Sequence, residues 1–131
     1  MIDTNMKILV VEDEDALRDM LVMILQDEDY LVDESSNGEE AWEFLSNNTY
    51  DLLITDLFMP VMNGVDLILK CQQAIPSLKI ILISGGGKEV FAKHGDKMIS
   101  FNKMNIKVDC YLKKPYKLND MLTAVEGLLK N

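Results

Sequence analysis

Short apolar runs alternate with segments whose apolar residues recur at helical spacing along most of this chain. A short run rich in β-branched residues predicts a buried strand, whereas apolar residues three and four positions apart predict an amphipathic helix. Strands are predicted at residues 7–11, 30–34, 52–55, 79–83 and 108–112. Helices are predicted at residues 16–25, 36–45, 64–74 and 118–129.

The order of these elements predicts an α/β fold built on one parallel sheet. Strands that alternate with helices form such a sheet, with helices on both of its faces. Strands that are covered on both faces are almost continuously apolar, and the first, third and fourth predicted strands fit that description. The length of 131 residues suits one domain. We therefore expect a single domain over residues 1–131, with no output domain.

Composition and charge limit the possible cellular location and the possible binding partners of the protein. The first apolar run has four residues and is followed by acids, so neither a signal peptide nor a membrane span is expected, and the predicted location is the cytoplasm. Cys71 and Cys110 match no metal-site or redox spacing, which predicts two reduced packing thiols. The net charge of −9 argues against direct nucleic-acid binding.

The charge is also uneven along the chain. Residues 1–87 carry 4 basic and 17 acidic side chains, a net charge of −13, whereas residues 88–131 carry 9 basic and 5 acidic side chains, a net charge of +4. The basic third fits either a docking surface for an acidic partner or a solvated charged face. The sequence leaves both interpretations open.

Polar side chains follow four of the predicted strands, at the edge where a parallel sheet binds ligands. They are Glu12 to Asp15, Asp56, Ser84, and Lys113 with Lys114. Carboxylates gathered at one place repel each other unless a cation lies among them, and a few oxygen ligands favour Mg²⁺. A lysine and a hydroxyl beside them suit a phosphoryl group, so the pattern predicts Mg²⁺-assisted phosphoryl chemistry with an aspartate nucleophile. Each feature alone also fits a structural role, such as acids in a first helical turn.

These residues resemble those of the receiver domains of bacterial two-component systems, over essentially the whole chain. The most specific part is residues 56–64, DLFMPVMNG, which resembles the phosphoacceptor motif of that family. The pairs Glu12-Asp13 and Lys114-Pro115, together with Ser84, match the remaining family positions in order. The resemblance implies a flavodoxin-like (CheY-like) doubly wound (βα)5 fold, whose five-stranded parallel sheet has the strand order 2-1-3-4-5.

The resemblance also implies the roles of the residues in phosphoryl transfer. Asp56 is the phosphoacceptor and becomes an aspartyl phosphate, and Lys114 pairs with the phosphoryl group. Mg²⁺ is held by Asp13, by Asp56 and by the backbone carbonyl of Phe58, while Glu12 acts through a metal-bound water. No other cofactor is implied.

A conformational switch is implied as well. Ser84 is the hydroxyl that turns toward the phosphoryl group, Tyr111 is the aromatic side chain that moves between outward and inward positions, and a cis bond precedes Pro115. The chain is then a single-domain response regulator that catalyses its own phosphorylation and dephosphorylation and is otherwise not an enzyme. Its partners are a sensor histidine kinase or histidine phosphotransfer protein and an unknown downstream protein.

Other functions stay open at this point. The chain fits an intermediate of a multistep phosphorelay, a phosphorylation-independent interaction module, or a receiver fragment of a larger regulator. A flavin- or nucleotide-binding enzyme of similar topology is disfavoured, because it needs a loop that binds phosphate through backbone amides after the first strand. This chain has four consecutive acids there.

Two features depart from the family pattern. The stretch between Ser84 and Tyr111 is longer than usual and begins with three glycines, which weaken a helix start. We therefore predict an irregular or extended region over residues 85–107, with a long mobile loop and a displaced or split fourth helix. Phe58 and Gly86, two residues after Asp56 and Ser84, offer no polar side chain to guide a water, which predicts slow self-dephosphorylation.

Overall fold

A computed structural model describes residues 5–59, 62–85, 90–91, 93, 95–101 and 104–130 of the chain. The strands in these residues are β1 (Lys7–Val11), β2 (Leu31–Ser35), β3 (Leu52–Asp56), β4 (Lys79–Ser84), β5 (Val90–Phe91), β6 (Met98–Phe101), β7 (Met104–Lys107) and β8 (Cys110–Lys113). The helices are α1 (Asp15–Asp27), α2 (Gly38–Asn47), α3 (Gly64–Ala74) and α4 (Leu118–Leu129). None of these helices is long and apolar enough to span a bilayer.

Five of the strands form one parallel sheet in the order β2-β1-β3-β4-β8. Because β8 is the fifth predicted strand, this order confirms the predicted 2-1-3-4-5 arrangement. Strands of a parallel sheet need a crossover between them, and α1, α2 and α3 supply the first three crossovers. All strands therefore end at the same edge of the sheet, where the polar residues follow them.

Both faces of the parallel sheet are covered, because successive side chains of a strand point to opposite faces. Along β1, Ile8 and Val10 pack with α1 and α4 on one face, whereas Leu9 and Val11 pack with α2 and α3 on the other. All four side chains are at most 1% exposed. This two-sided burial explains why the central strands are apolar without alternation and confirms the doubly wound architecture.

Asparagine side chains set the first residue of two helices. The Oδ1 atom of Asn37 accepts a hydrogen bond from the Glu40 amide at 2.8 Å, and Asn63 does the same for the Asp66 amide at 2.9 Å. These caps satisfy amides that have no partner within the helix. They start α2 two residues later than predicted and α3 at the predicted residue.

Residues 90–107 contain a three-stranded antiparallel sheet in the order β5-β6-β7. The irregular character of this region is confirmed, but the prediction of a displaced or split fourth helix is wrong for the described residues. Ile99 on β6 faces Ile106 on β7, and both are at most 1% exposed. Alternate residues of β6 and β7 thus reach the core, as they do in a strand that is buried on one face. The predicted mobility of the region stays a prediction.

The antiparallel sheet lies against the edge strand β8 and against α3. Just before β6, the Gly95 amide donates a hydrogen bond to the Tyr111 carbonyl of β8 at 2.6 Å. The Val108 amide, just after β7, donates to the Lys97 carbonyl at 2.8 Å and so extends the pairing of β6 with β7. The side-chain amide of Gln72 on α3 donates to the Lys107 carbonyl at 2.5 Å. The antiparallel sheet therefore covers the part of the core where the sequence predicted a helix.

Candidate functional site

The ammonium group of Lys114 lies between two buried carboxylates at the carboxyl edge of the parallel sheet. Its Nζ atom is 2.6 Å from Oδ2 of Asp56, the last residue of β3. It is also 2.9 Å from Oε1 of Glu12, the residue after β1. Asp56 is 4% exposed and Glu12 is 2% exposed. Parallel topology thus brings together three side chains that are far apart in sequence.

Asp13 completes a cluster of carboxylates around this ammonium group. Glu12, Asp13 and Asp56 each have a carboxylate oxygen within 4.8 Å of the others, and Asp13 is exposed. Three ionised carboxylates and one ammonium carry a net charge of −2, which one divalent cation balances. Hard oxygen ligands, few in number and with one side open to solvent, suit Mg²⁺. The residues present therefore fit the predicted ion.

Burial and neighbouring charges change two pKa values at this site. Burial, followed by the charge of Asp56, raises the pKa of Glu12 to about 7, against the lowering effect of the Lys114 hydrogen bond. Burial alone would lower the pKa of Lys114. Its hydrogen bonds to Asp56 and Glu12 outweigh that effect and hold the pKa above its usual value. Lys114 is therefore a permanent cation here, whereas Glu12 titrates near neutral pH.

Close backbone packing joins the start of α3 to the residues that directly follow Asp56. The Phe58 amide donates a hydrogen bond to Oδ1 of Asp56 at 3.2 Å, and the Gly64 amide donates to the Leu57 carbonyl at 2.8 Å. A Cβ atom on Gly64 would collide with the backbone oxygen of Asp56. Glycine is needed at position 64 because α3 begins in direct contact with the backbone that carries Asp56.

Ser84 and Tyr111 form a buried pair beside the carboxylates. Their hydroxyl oxygens are 2.7 Å apart, and both residues are 0% exposed. The Lys114 amide donates a hydrogen bond to the Ser84 carbonyl at 2.8 Å. The bond between Lys114 and Pro115 is cis, as the resemblance implies. Tyr111 therefore has the inward position, in which its hydroxyl reaches the end of β4.

The Phe58 side chain extends from the site toward the antiparallel sheet. Its ring meets the ring of Phe101 edge-on, with the centroids 5.7 Å apart and the planes at 72°. Such an arrangement is a favourable aromatic contact. Phe58 nevertheless remains 45% exposed. Pro60 of the resembling motif and Gly86 lie outside the described residues, and the Phe58 carbonyl as a metal ligand stays a prediction.

Sequence reasoning missed Arg18, which supports the acidic cluster from α1. Its Nη1 atom donates a hydrogen bond to the Glu12 backbone carbonyl at 2.7 Å. Its guanidinium also pairs with Asp15 at 2.7 Å and with Glu34 at 3.2 Å. The signal available in the sequence was the placement of Asp15 three residues before Arg18, which puts both on one side of a helix.

The sequence of this chain matches the family described as the response regulator receiver domain over residues 8–126. The chain belongs to this family. A receiver domain of this kind is a part of two-component signalling systems. It is a phosphoacceptor switch, which binds Mg²⁺ at an acidic pocket and receives phosphoryl groups from histidine kinases. In this receiver domain, Glu12, Asp13 and Asp56 form an acidic cluster whose carboxylate oxygens lie close enough together to hold a metal ion.

Known proteins resemble this receiver domain in sequence and in structure. The transcriptional regulatory protein SrrA of Staphylococcus aureus is 31% identical over 124 residues, which are 95% of this chain and 48% of SrrA. The chain thus spans about half the length of the curated relatives it matches.

Two solved structures extend this comparison to the fold. A CheY-like receiver domain protein of Methanospirillum hungatei is 25% identical, with a TM-score of 0.80, over 97% of this chain and 95% of that one. The response regulator TrrA of Thermotoga maritima, in complex with Mg²⁺-BeF, is 28% identical, with a TM-score of 0.77, over 95% of this chain and 99% of that one. The CheY-like fold is therefore shown.

Proposed function

We propose that this receiver domain is a signalling switch that accepts a phosphoryl group on Asp56. The donor is the phosphohistidine of a sensor histidine kinase or of a histidine phosphotransfer protein. The observation that supports this function best is the Lys114 ammonium, shared between Asp56 and Glu12 beside the exposed carboxylate of Asp13. A nucleophile, a fixed cation and an oxygen-rich ion pocket are the groups that phosphoryl transfer needs.

In this reaction an oxygen of the Asp56 carboxylate attacks the phosphorus in line with the histidine nitrogen. The P–N bond breaks as the P–O bond forms, and the nitrogen keeps the electron pair; with a proton from solvent the ring becomes a neutral imidazole. The Lys114 ammonium forms an ion pair with the transferred phosphoryl group and neutralises part of its charge. Asp13, Asp56 and the Phe58 carbonyl would hold Mg²⁺, with Glu12 acting through a water. The bound ion supplies further charge neutralisation at the phosphoryl oxygens.

Ser84 and Tyr111 pass the phosphorylation state on to a partner protein. A serine hydroxyl has one proton to donate and two lone pairs to accept with. Ser84 can thus donate to a phosphoryl oxygen while it accepts a hydrogen bond from Tyr111, which already lies 2.7 Å away. Phosphorylation adds charge and acceptor atoms at Asp56. It thereby stabilises the inward Tyr111, which packs in the same cluster as Ile99 and Ile106 of the antiparallel sheet.

The proposal keeps residues 1–131 as a single-domain response regulator that works in the cytoplasm and acts on a downstream protein, not on nucleic acid. That arrangement stays a prediction, because SrrA, whose name describes a transcriptional regulatory protein, is about twice as long. The same site chemistry also fits an intermediate of a multistep phosphorelay. In such a relay the phosphoryl group moves from Asp56 to a second histidine, which is the reverse of its transfer from histidine to Asp56.

Incubation with acetyl phosphate and Mg²⁺, followed by intact mass spectrometry, tests the phosphoacceptor. The wild type should gain one phosphoryl group. Asp56→Asn should gain none, because an amide oxygen is a poor nucleophile, and EDTA should suppress the gain in the wild type. Asp66→Asn is a matched control, since Asp66 is an exposed aspartate in the first turn of α3. Phosphorylation of Asp56→Asn to the wild-type level would refute the proposal.

A further inference from the structure

The guanidinium of Arg18 joins the end of β1, the first turn of α1 and the carboxyl end of β2. Its Nη1 atom donates a hydrogen bond to the Glu12 backbone carbonyl at 2.7 Å, and Nη2 donates to Oδ1 of Asp15 at 2.7 Å. Its Nε atom donates to Oε1 of Glu34 on β2 at 3.2 Å. The Arg18 side chain is only 15% exposed, although arginine usually lies at the surface. All three nitrogen atoms of the guanidinium are therefore used in one largely buried position.

One of these contacts lies directly beside Asp13, the exposed carboxylate of the acidic cluster. The Glu12 carbonyl that Arg18 contacts belongs to the peptide group that joins Glu12 to Asp13. On the other side of Asp13, the Glu14 amide donates a hydrogen bond to Oε2 of Glu12 at 3.1 Å. Each peptide group next to Asp13 thus has a side chain as its partner. Together these contacts restrict the direction in which the Asp13 side chain leaves the backbone.

The position of Asp13 depends on its backbone more than that of the other two carboxylates does. Glu12 and Asp56 are at most 4% exposed, and both pair with Lys114. Asp13 is exposed, so packing does not hold its side chain. Among the described residues, no side-chain cap holds the first residue of α1, in contrast to the asparagine caps of α2 and α3. Arg18 therefore supplies a tie between α1 and the backbone that carries Asp13.

We propose that Arg18 is a positioning residue of the ion site, because it holds the backbone that presents Asp13 to Mg²⁺. This role rests on the proposed function. Groups behind the ligands of a metal site commonly orient those ligands. A ligand that already has the orientation it needs also loses less conformational freedom when the ion binds. Arg18 acts through Asp13 and contacts neither the ion nor the phosphoryl group.

The charge of Arg18 alone has the opposite effect on Mg²⁺ binding. A cation near the acidic cluster repels Mg²⁺, so removal of the charge by itself would tighten binding. Removal of a positioning contact weakens binding, because Asp13 then samples orientations that do not reach the ion. Ion pairs with Asp15 and Glu34 already offset the charge of Arg18, so we expect the positioning effect to dominate. The direction of the change in Mg²⁺ affinity therefore separates the two effects.

Titration with Mg²⁺ alone, followed by calorimetry below the melting temperature of each protein, tests this role without phosphoryl transfer. Arg18→Met keeps a long side chain and removes its donors and its charge. We expect its Mg²⁺ dissociation constant to rise about tenfold. Arg18→Lys keeps the charge, but an ammonium cannot reproduce the planar fork of a guanidinium. Its Mg²⁺ dissociation constant should rise as well, and a change in charge cannot explain that rise.

Two further proteins sharpen this test. Lys7→Met is a matched control, because Lys7 pairs with Asp33 of β2 at 3.5 Å and lies at the opposite end of β1. It removes a cation that joins β1 to β2 away from the acidic cluster, and it should bind Mg²⁺ as the wild type does. In an Asp13→Ala background, Arg18→Met should cause no additional loss of Mg²⁺ affinity, because no carboxylate is left at position 13 to be oriented.

Each contrary result has its own meaning. Equal or tighter Mg²⁺ binding by both Arg18 variants than by the wild type would overturn the positioning role and leave the ion site intact. An equal loss of affinity in Lys7→Met would assign the effect to a general loosening of β1 and overturn the role too. A further loss in the Asp13→Ala background would show that Arg18 acts through another group, which also contradicts the proposal. A wild type that does not bind Mg²⁺ would overturn the ion site itself.

Discussion

Phe58 differs from the other residues of the candidate site because its ring contacts Phe101 of the antiparallel sheet. Its backbone amide is nevertheless tied to Oδ1 of Asp56. The edge-on contact with Phe101 limits the freedom of the ring, and an apolar ring offers no hydrogen bond to a water that attacks a nearby acyl phosphate. The slow self-dephosphorylation predicted from the sequence therefore stays a prediction that Phe58 can test.

Phe58→Asn should shorten the lifetime of the phosphorylated protein. A polar amide two residues after Asp56 can orient an attacking water, and we expect about tenfold faster loss, a barrier change of about 1.4 kcal/mol. The decay of the phosphorylated mass with time, after the phosphodonor is removed, measures this rate. Leu69→Asn is the matched control, because Leu69 on α3 is 42% exposed and Phe58 is 45% exposed. A wild-type half-life of seconds, or equal rates for wild type and Phe58→Asn, would contradict the expectation.

The residues that the sequence predicted for this site were those whose placement depends only on topology. Glu12, Asp56 and Lys114 follow parallel strands, so a correct strand order brings them to one edge. Arg18 could not be found in this way. Its contribution depends on the contact between its side chain and the backbone carbonyl of Glu12, and no spacing rule encodes that contact.

At the scale of elements, the structure differs from the sequence-based prediction mainly in the antiparallel sheet, which replaces a predicted helix. It carries Phe101, which contacts Phe58, and Ile99 and Ile106, which pack in the cluster that contains Tyr111. The same element thus contacts Phe58 on one side and packs in the cluster of the buried Tyr111 on the other. Its packing should matter for stability as well as for signalling.

Ile106→Ala should destabilise the protein by about 2–5 kcal/mol, because it removes a fully buried aliphatic side chain and leaves a cavity. Met104→Ala, on the same strand but at a side chain 46% exposed, should change stability by about 0.5 kcal/mol or less. Urea unfolding monitored by circular dichroism gives both values. Equal and small effects for the two variants would show that β7 does not pack on the core in solution.

The elements that the sequence predicted well are the ones with long periodic signals. The bounds of α3 and α4 agree with the prediction at both ends, since each has a clear apolar stripe. The antiparallel strands were missed because they are only two to four residues long. A signal was present, because apolar and polar residues alternate from Ile99 to Phe101 and from Met104 to Lys107, and two residues separate these strands, as in a β-hairpin.

At the scale of the whole molecule, the net charge of −9 is divided unevenly between two parts of the fold. The basic third of the sequence contributes the antiparallel sheet, β8 and α4, while the acidic two thirds supply every carboxylate of the ion pocket. Lys114 belongs to the basic part and forms ion pairs with Glu12 and Asp56 of the acidic part. It lowers the electrostatic cost of holding Glu12 and Asp56 together in a buried place.

The contribution of Glu12 to stability in EDTA should fall as the pH rises from about 4.5 to about 7. The pKa of Glu12 is 4.5 in its ordinary state and about 7 in the folded protein, so the folded state binds more protons than the unfolded state within this window. That excess favours folding below pH 4.5 and is lost as the pH rises through 7, by at most about 1.4 kcal/mol for each unit of pKa difference. Mg²⁺ should offset the loss, since it prefers the ionised carboxylate.

Urea unfolding of the wild type and of Glu12→Gln at several pH values measures this contribution. The difference in unfolding free energy between the two proteins should shift in favour of Glu12→Gln as the pH rises, and should level off above pH 7. Asp56→Asn should lower the pKa of Glu12, because the charge of Asp56 is one of the causes that raise it. Parallel stability curves for wild type and Glu12→Gln would rule out a raised Glu12 pKa.

The close approach of Gly64 to the Asp56 backbone predicts how the protein responds to substitutions at position 64. Position 64 contributes no chemical group, yet any side chain there would push the main chain that carries the phosphoacceptor. A saturation survey scored for phosphorylation should therefore rank position 64 among the most sensitive, next to residues that bind the substrate. The damage would arise from a shifted carboxylate rather than a missing one, and mass spectrometry would show slow phosphorylation of a chain whose reactive groups are all intact.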